Sequence, residues 1–91
     1  MADQATIATD ILARYAADAA REVEGVRAIA GRRGVRISGK EAIRIEIHVV
    51  AARGVSIPAL GGAVQKRVRG YLSSMADVEP TSVDVVVDGF E

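Results

Sequence analysis

The sequence predicts an α+β fold: one two-layer domain over residues 1–91, with two helices on one face of a small mixed sheet, in the order α-β-β-β-α-β. Three observations predict it. Apolar residues recur at spacings of three and four in two separate stretches, which is the helical period. They alternate with polar residues in other stretches, which is the strand period. Glycine or proline stands at most of the breaks between stretches.

The first helix is expected over about 9–23, with 1–7 flexible ahead of it. Thr9 is placed to cap it, and Asp10 suits the positive end of the helix dipole. Ile11, Leu12, Tyr15, Ala16, Ala19, Ala20 and Val23 form one apolar stripe. Gly25 closes the helix, because glycine adopts the left-handed terminal conformation at little cost. Val26 to Ala30 reads as a short strand. Val35 and Ile37 alternate with Arg36, and Ile43, Ile45, Ile47 and Val49 alternate with Arg44, Glu46, His48 and Val50. These two runs predict a hairpin turning around Gly39-Lys40.

Pro58 suits the first turn of a second helix. Leu60, Val64, Val68, Tyr71, Leu72 and Met75 form its apolar stripe, and Gln65, Lys66, Arg69 and Ser73 lie off it. Pro80 breaks the chain. Val83, Val85 and Val87 then alternate with Asp84, Val86 and Asp88 as the last strand. A helix between two strands is long enough to make a right-handed crossover. The sheet face away from the helices is expected to carry Arg36, Arg44, Glu46, His48, Asp84 and Asp88, with Val50 and Val86 among them.

Composition narrows the function. The chain is 49% hydrophobic with three aromatic residues, so its core is built of Ile, Val, Leu and Ala. There is no cysteine, which excludes disulfides and thiolate metal sites and fits a cytoplasmic address. No apolar run approaches the roughly 18 residues of a membrane span. The start, MADQATIATD, lacks the pattern of a signal peptide. Net charge is zero, but residues 27–69 hold ten bases and two acids, while both ends are acidic. A basic middle between acidic ends can attract a polyanion or another copy of the chain.

The motif Gly31-Arg32-Arg33-Gly34 has the GXXG form with which KH domains clamp nucleic-acid backbones. A KH loop needs a helix after its second glycine. Only Val35, Arg36 and Ile37 follow before the Ser38–Glu41 turn, and they alternate as a strand. The motif is therefore expected to be a loop joining two strands, with a weak anion contact by Arg32, Arg33 and Arg36 as the other reading.

No catalytic set emerges. His48 is the only histidine, and Glu46 shares its predicted face. One histidine and one carboxylate are too few for a dedicated metal site, and no cofactor motif is present. The chain is expected not to be an enzyme and to need no cofactor. Lys66, Arg67 and Arg69 could join Arg32, Arg33 and Arg36 in a phosphate-binding patch. A domain pI near 6.6 argues against dedicated nucleic-acid binding. The candidate interaction residues are Arg32, Arg33, Arg36, Lys66, Arg67, Arg69, Val50 and Val86.

Three stretches, Ile11–Val26, Arg53–Met75 and Val78–Phe90, together resemble the alkaline shock protein family, the Gls-type general stress proteins of Gram-positive bacteria. The shared features are an alanine-rich helix ending in E-x-x-G-V, the G-V-x-I-P start of the second helix, its V-Q-x-x-V core and a closing V-x-V-x-V strand. The resemblance implies a non-enzymatic cytoplasmic protein of cell-envelope homeostasis and stress, some of whose relatives self-assemble or sit at the membrane through a separate anchor protein. Gly25, Val26, Pro58, Val64, Gln65 and Val68 match as fold determinants. The usual charge at the start of the second helix is missing at Ala59-Leu60-Gly61-Gly62, and so are the tails of larger members. The abundance of Ala and Arg suits an actinobacterial source. The function expected is an interaction or scaffold protein with a protein partner or itself. The alternative is a weak nucleic-acid-binding accessory domain using the basic middle.

Overall fold

The computed structural model describes the backbone of residues 2–31 and 34–91, and the side chains of residues 9–31 and 34–91. The elements are α1 (Ala2–Arg21), β1 (Val26–Ile29), β2 (Val35–Ser38), β3 (Arg44–Ala51), α2 (Ile57–Ala76) and β4 (Ser82–Phe90). Their order is the expected one. α1 begins upstream of Thr9, through residues such as Ala2, Gln4 and Ala5 that favour helix. The stretch 1–7, expected to be flexible, is thus helical in backbone from Ala2, while Met1 and the side chains up to Ala8 lie outside the described residues. α1 ends at Arg21, and the chain turns through Gly25 at φ 100°.

β3 is the centre of the sheet. β4 runs parallel along its whole length, with Arg44 opposite Ser82 and Ala51 opposite Phe90. β1 and β2 both run antiparallel to β3, β2 against Arg44–Ile47 and β1 against Val49–Ala51. A strand has two edges and β4 fills one, so β1 and β2 share the other, end to end. The ladder is interrupted between them at one residue. Ala30 N–H donates to the His48 carbonyl at 2.7 Å, and His48 N–H donates to the Gly34 carbonyl at 2.7 Å. The GXXG motif therefore does join two strands, but strands that lie in line rather than side by side.

Parallel neighbours need a crossover, and α2 supplies it between β3 and β4. Ser56 caps α2, its hydroxyl accepting from Ala59 N–H at 3.3 Å, and Pro58 lies in the first turn. Asp77 ends it in the left-handed conformation at φ 55°. Its N–H returns to Ser73 O, and Val78 N–H returns to Leu72 O, which satisfies terminal carbonyls.

Both helices cover one sheet face. Leu60, Val64, Val68 and Leu72 of α2 meet Ile45, Ile47, Val49 and Ala51 of β3, with Leu12, Ala16, Ala19 and Ala20 of α1 beside them. The small alanine surface lets α1 lie close against α2. Tyr15 and Tyr71 join the helices edge to face, ring centroids 5.8 Å apart. Two members of the expected stripes point outward instead: Ile11 is 42% and Met75 52% exposed. Leu12 takes the inward side of α1, and Ile11, about 100° round the helix from it, lies toward solvent, while Met75 lies in the last turn, beyond the inward-facing Leu72.

Candidate functional site

The face of the sheet away from the helices is the candidate site. With Ile45, Ile47, Val49 and Ala51 turned into the core, strand alternation turns Arg44, Glu46, His48 and Val50 outward. The ladder sets Arg36, Glu46 and Asp84 in one row across the sheet, because Glu46 pairs with both of the others. His48 lies beside Val86, and Val50 lies between Ala28 and Gly89. The face is thus graded: a base on β2, mixed charge on β3, acids on β4.

At its centre His48 is held between two carboxylates. Its Nε2 lies 2.6 Å from Glu46 Oε2, and its Nδ1 lies 2.9 Å from Asp88 Oδ1 and 3.1 Å from Oδ2. Glu46 comes from the same strand two residues away. Asp88 comes from β4 through a break in register, where Val87 pairs with Val49 but Gly89 pairs with Val50. Asp88 is the extra residue of this bulge, and bulges re-aim side chains. An ionised carboxylate only accepts hydrogen bonds, so both ring nitrogens must donate, and the arrangement is that of an imidazolium. The hydrogen bonds to Glu46 and then Asp88 raise the His48 pKa above its ordinary value, outweighing slight desolvation. The imidazole is 26% exposed, and the carboxylates are 43% and 44% exposed.

The other candidate residues do not converge on one patch. Arg36, Val50 and Val86 lie on the open face, Val86 at 38% exposure. Lys66, Arg67 and Arg69 lie on α2, across the sheet from Arg36. Arg67 pairs with Glu22 at 2.7 Å, linking α2 to the end of α1. Arg69 donates to the carbonyls of Pro80 and Thr81, bracing the approach to β4. Gln65, beside them, donates to the Val83 carbonyl at 2.9 Å. Arg32 and Arg33 lie outside the described residues. The Glu46–His48 contact follows from period two on one strand. Asp88 shares the open face by strand alternation, but its contact with the ring was missed, because it depends on β4 lying beside β3 in this register.

Two apolar grooves of about 600 and 610 Å³ flank α2 near the end of α1, with Glu24 and Ala63 common to both. They hold no nucleophile with an adjacent base. Among the described residues, no group of three or more His, Asp or Glu is arranged to hold a metal ion. Glu46 and Asp88 approach opposite nitrogens of the ring, so one ion could not reach all three. Among the described residues, no helix is long and apolar enough to cross a membrane.

Residues 30–91, more than half of the chain, match the model of the alkaline shock protein (ASP23) family, described as having a cell envelope-related function. No curated protein matches the chain at a significant level. Similar solved structures include variants of MamM CTD. A histidine-to-alanine variant has a TM-score of 0.62 at 14% identity, covering 90% of this chain and 98% of that one. A tryptophan-to-alanine variant has a TM-score of 0.63 at 14% identity, covering 90% and 81%. The manganese form of a glutamate-to-aspartate variant has a TM-score of 0.59 at 15% identity, covering 88% and 96%. At such identities the likeness shows the fold.

Proposed function

The chain belongs to the alkaline shock protein (ASP23) family, whose function is cell envelope-related, and from that premise we propose that it is a non-catalytic scaffold domain that assembles with a second copy of itself. The observation that carries this reading is the open sheet face. Every other large surface of the sheet is packed against a helix, whereas this face presents Val50 and Val86 within a set of balanced charges. Its charge is complementary between its margins, a base on β2 and acids on β4, while the residues of β3 meet their own counterparts on the axis. A two-fold axis parallel to the strands and passing over β3 lays β2 of each copy over β4 of the other. Arg36 of one copy then faces Asp84 of its partner, twice per dimer. Sheets packed face to face in this way form a core of interleaved side chains about 10 Å thick.

The role in the cell envelope is reached through a partner, including a membrane-anchored one, with the domain on the cytoplasmic side. Nucleic-acid binding is not favoured, since Arg36 and the α2 bases lie on opposite sides of the sheet and two of the latter are engaged within the domain.

Sedimentation velocity over a wide concentration range, at low and high salt, tests the reading. Arg36→Asp and Asp84→Arg each place like charges opposite one another, and each alone weakens association by about tenfold or more. An equimolar mixture of the two variants restores both pairs and associates again. Failure of the mixture to associate excludes this pairing, and a wild-type monomer throughout excludes self-assembly.

A further inference from the structure

We propose that His48 is a proton-operated latch on the open face: protonated, it ties Glu46 of β3 to Asp88 of β4 and keeps the face receptive to a second copy; deprotonated, it releases both carboxylates and the second copy. The last clause rests on the self-assembly proposed above. The latch itself rests on the bulge and on the two-sided contact.

The geometry leaves no neutral alternative that keeps both contacts. A neutral imidazole has one N–H and one lone pair. With either tautomer, a lone pair would face a carboxylate oxygen at hydrogen-bond distance, and that contact must open. The ring and both carboxylates reach solvent, so the proton exchanges freely. Asp88 lies at the register shift of β4, two residues beyond the Val86 that pairs with His48, and Gly89 opposite Val50 keeps the neighbouring position free of a side chain.

The charged groups facing His48 can be named element by element. β3 itself contributes Arg44 and Glu46, β4 contributes Asp84 and Asp88, β2 contributes Arg36, and β1, farther along the same edge, carries the exposed Arg27 at its break in register. Both helices pack on the other face and contribute none. Arg32 and Arg33, in the segment between Ala30 and Gly34, lie outside the described residues. Among the described residues of β2, β3 and β4 on this face, the cations Arg36, Arg44 and protonated His48 match the anions Glu46, Asp84 and Asp88. Without that proton the acids on these three strands exceed the bases by one, and Glu46 and Asp88 lose the cation that lies between them. A dimer loses two cations at once.

The direction of the switch follows from the sign of the shift. The folded-state pKa of His48 is raised by Glu46 and then Asp88. Stabilisation by the latch is therefore complete below the unfolded value of about 6.5 and is lost as pH rises through the higher folded value.

The test uses the full chain, whose single histidine makes its ring signals unambiguous. NMR titration of the ring is combined with sedimentation velocity from pH 5 to pH 9. The ring is expected to titrate above its ordinary value in the wild type and to return toward it in Glu46→Gln/Asp88→Asn. Association is expected to weaken by about tenfold or more across the same interval. In His48→Gln it is expected to be weak and independent of pH. An unshifted ring titration in the folded protein overturns the latch. A shifted titration with pH-independent association overturns the gate and leaves self-assembly standing. Absence of association even below the titration overturns self-assembly and the gate together.

Discussion

Replacing Gly34 by alanine tests how the interrupted edge of the sheet is built. A Cβ at Gly34 would lie 2.3 Å from Ile29 Cγ2, 2.5 Å from Ala30 O and 3.3 Å from Ala30 N. The isoleucine methyl can turn away, at about 0.5–1.5 kcal/mol if it leaves its rotamer well. The Ala30 carbonyl is backbone and cannot turn away without moving the chain. That movement strains the pair of 2.7 Å bonds by which Ala30 and Gly34 hold the His48 backbone. Losing one of them costs about 1 kcal/mol, and more if the freed group stays buried. The sum is about 2–4 kcal/mol, or roughly 10–25 °C in Tm for a domain of this size. Gly31→Ala is the control, since nothing lies within 4 Å of its added Cβ and only its φ of 68° opposes the change. That conformation costs about 1–2 kcal/mol. Urea unfolding followed by circular dichroism measures both variants, and hydrogen exchange at the His48 amide reports the local bond. If Gly34→Ala proves no more costly than Gly31→Ala, the close approach is not what requires glycine here.

Two further predictions concern the helices. Ser56→Ala removes the hydroxyl that caps α2, and is expected to cost about 1 kcal/mol in chemical denaturation. Met75→Ala and Leu72→Ala separate the end of the α2 stripe from its core. Met75 is 52% exposed and its truncation should stay within about 0.5 kcal/mol of wild type. Leu72 is fully buried, and its truncation should cost about 2–5 kcal/mol by loss of transfer energy and creation of a cavity. Equal midpoints for these two variants in urea would show that the packing around the end of α2 is misassigned.

Repetition along the chain was legible without coordinates. Period two on β3 sorted Ile45, Ile47 and Val49 into the core and Glu46 and His48 onto one open face, because a strand alternates whatever it pairs with. Period three to four gave Leu60, Val64, Val68 and Leu72 one helical side, and Pro58 marked where that helix begins. Those are local properties, carried by backbone geometry. Tertiary structure alone decided the matters that depend on which strands meet and in what register. β1 and β2 share one edge of β3 because parallel β4 takes the other. Asp88 reaches His48 because β4 lies parallel to β3 with Val86 opposite His48. Arg67 and Arg69 are drawn into contacts with Glu22, Pro80 and Thr81, apart from Arg36, because α2 lies across the sheet from it. Pairing between segments tens of residues apart follows from the free energy of the whole packed core, which no local pattern in either segment records.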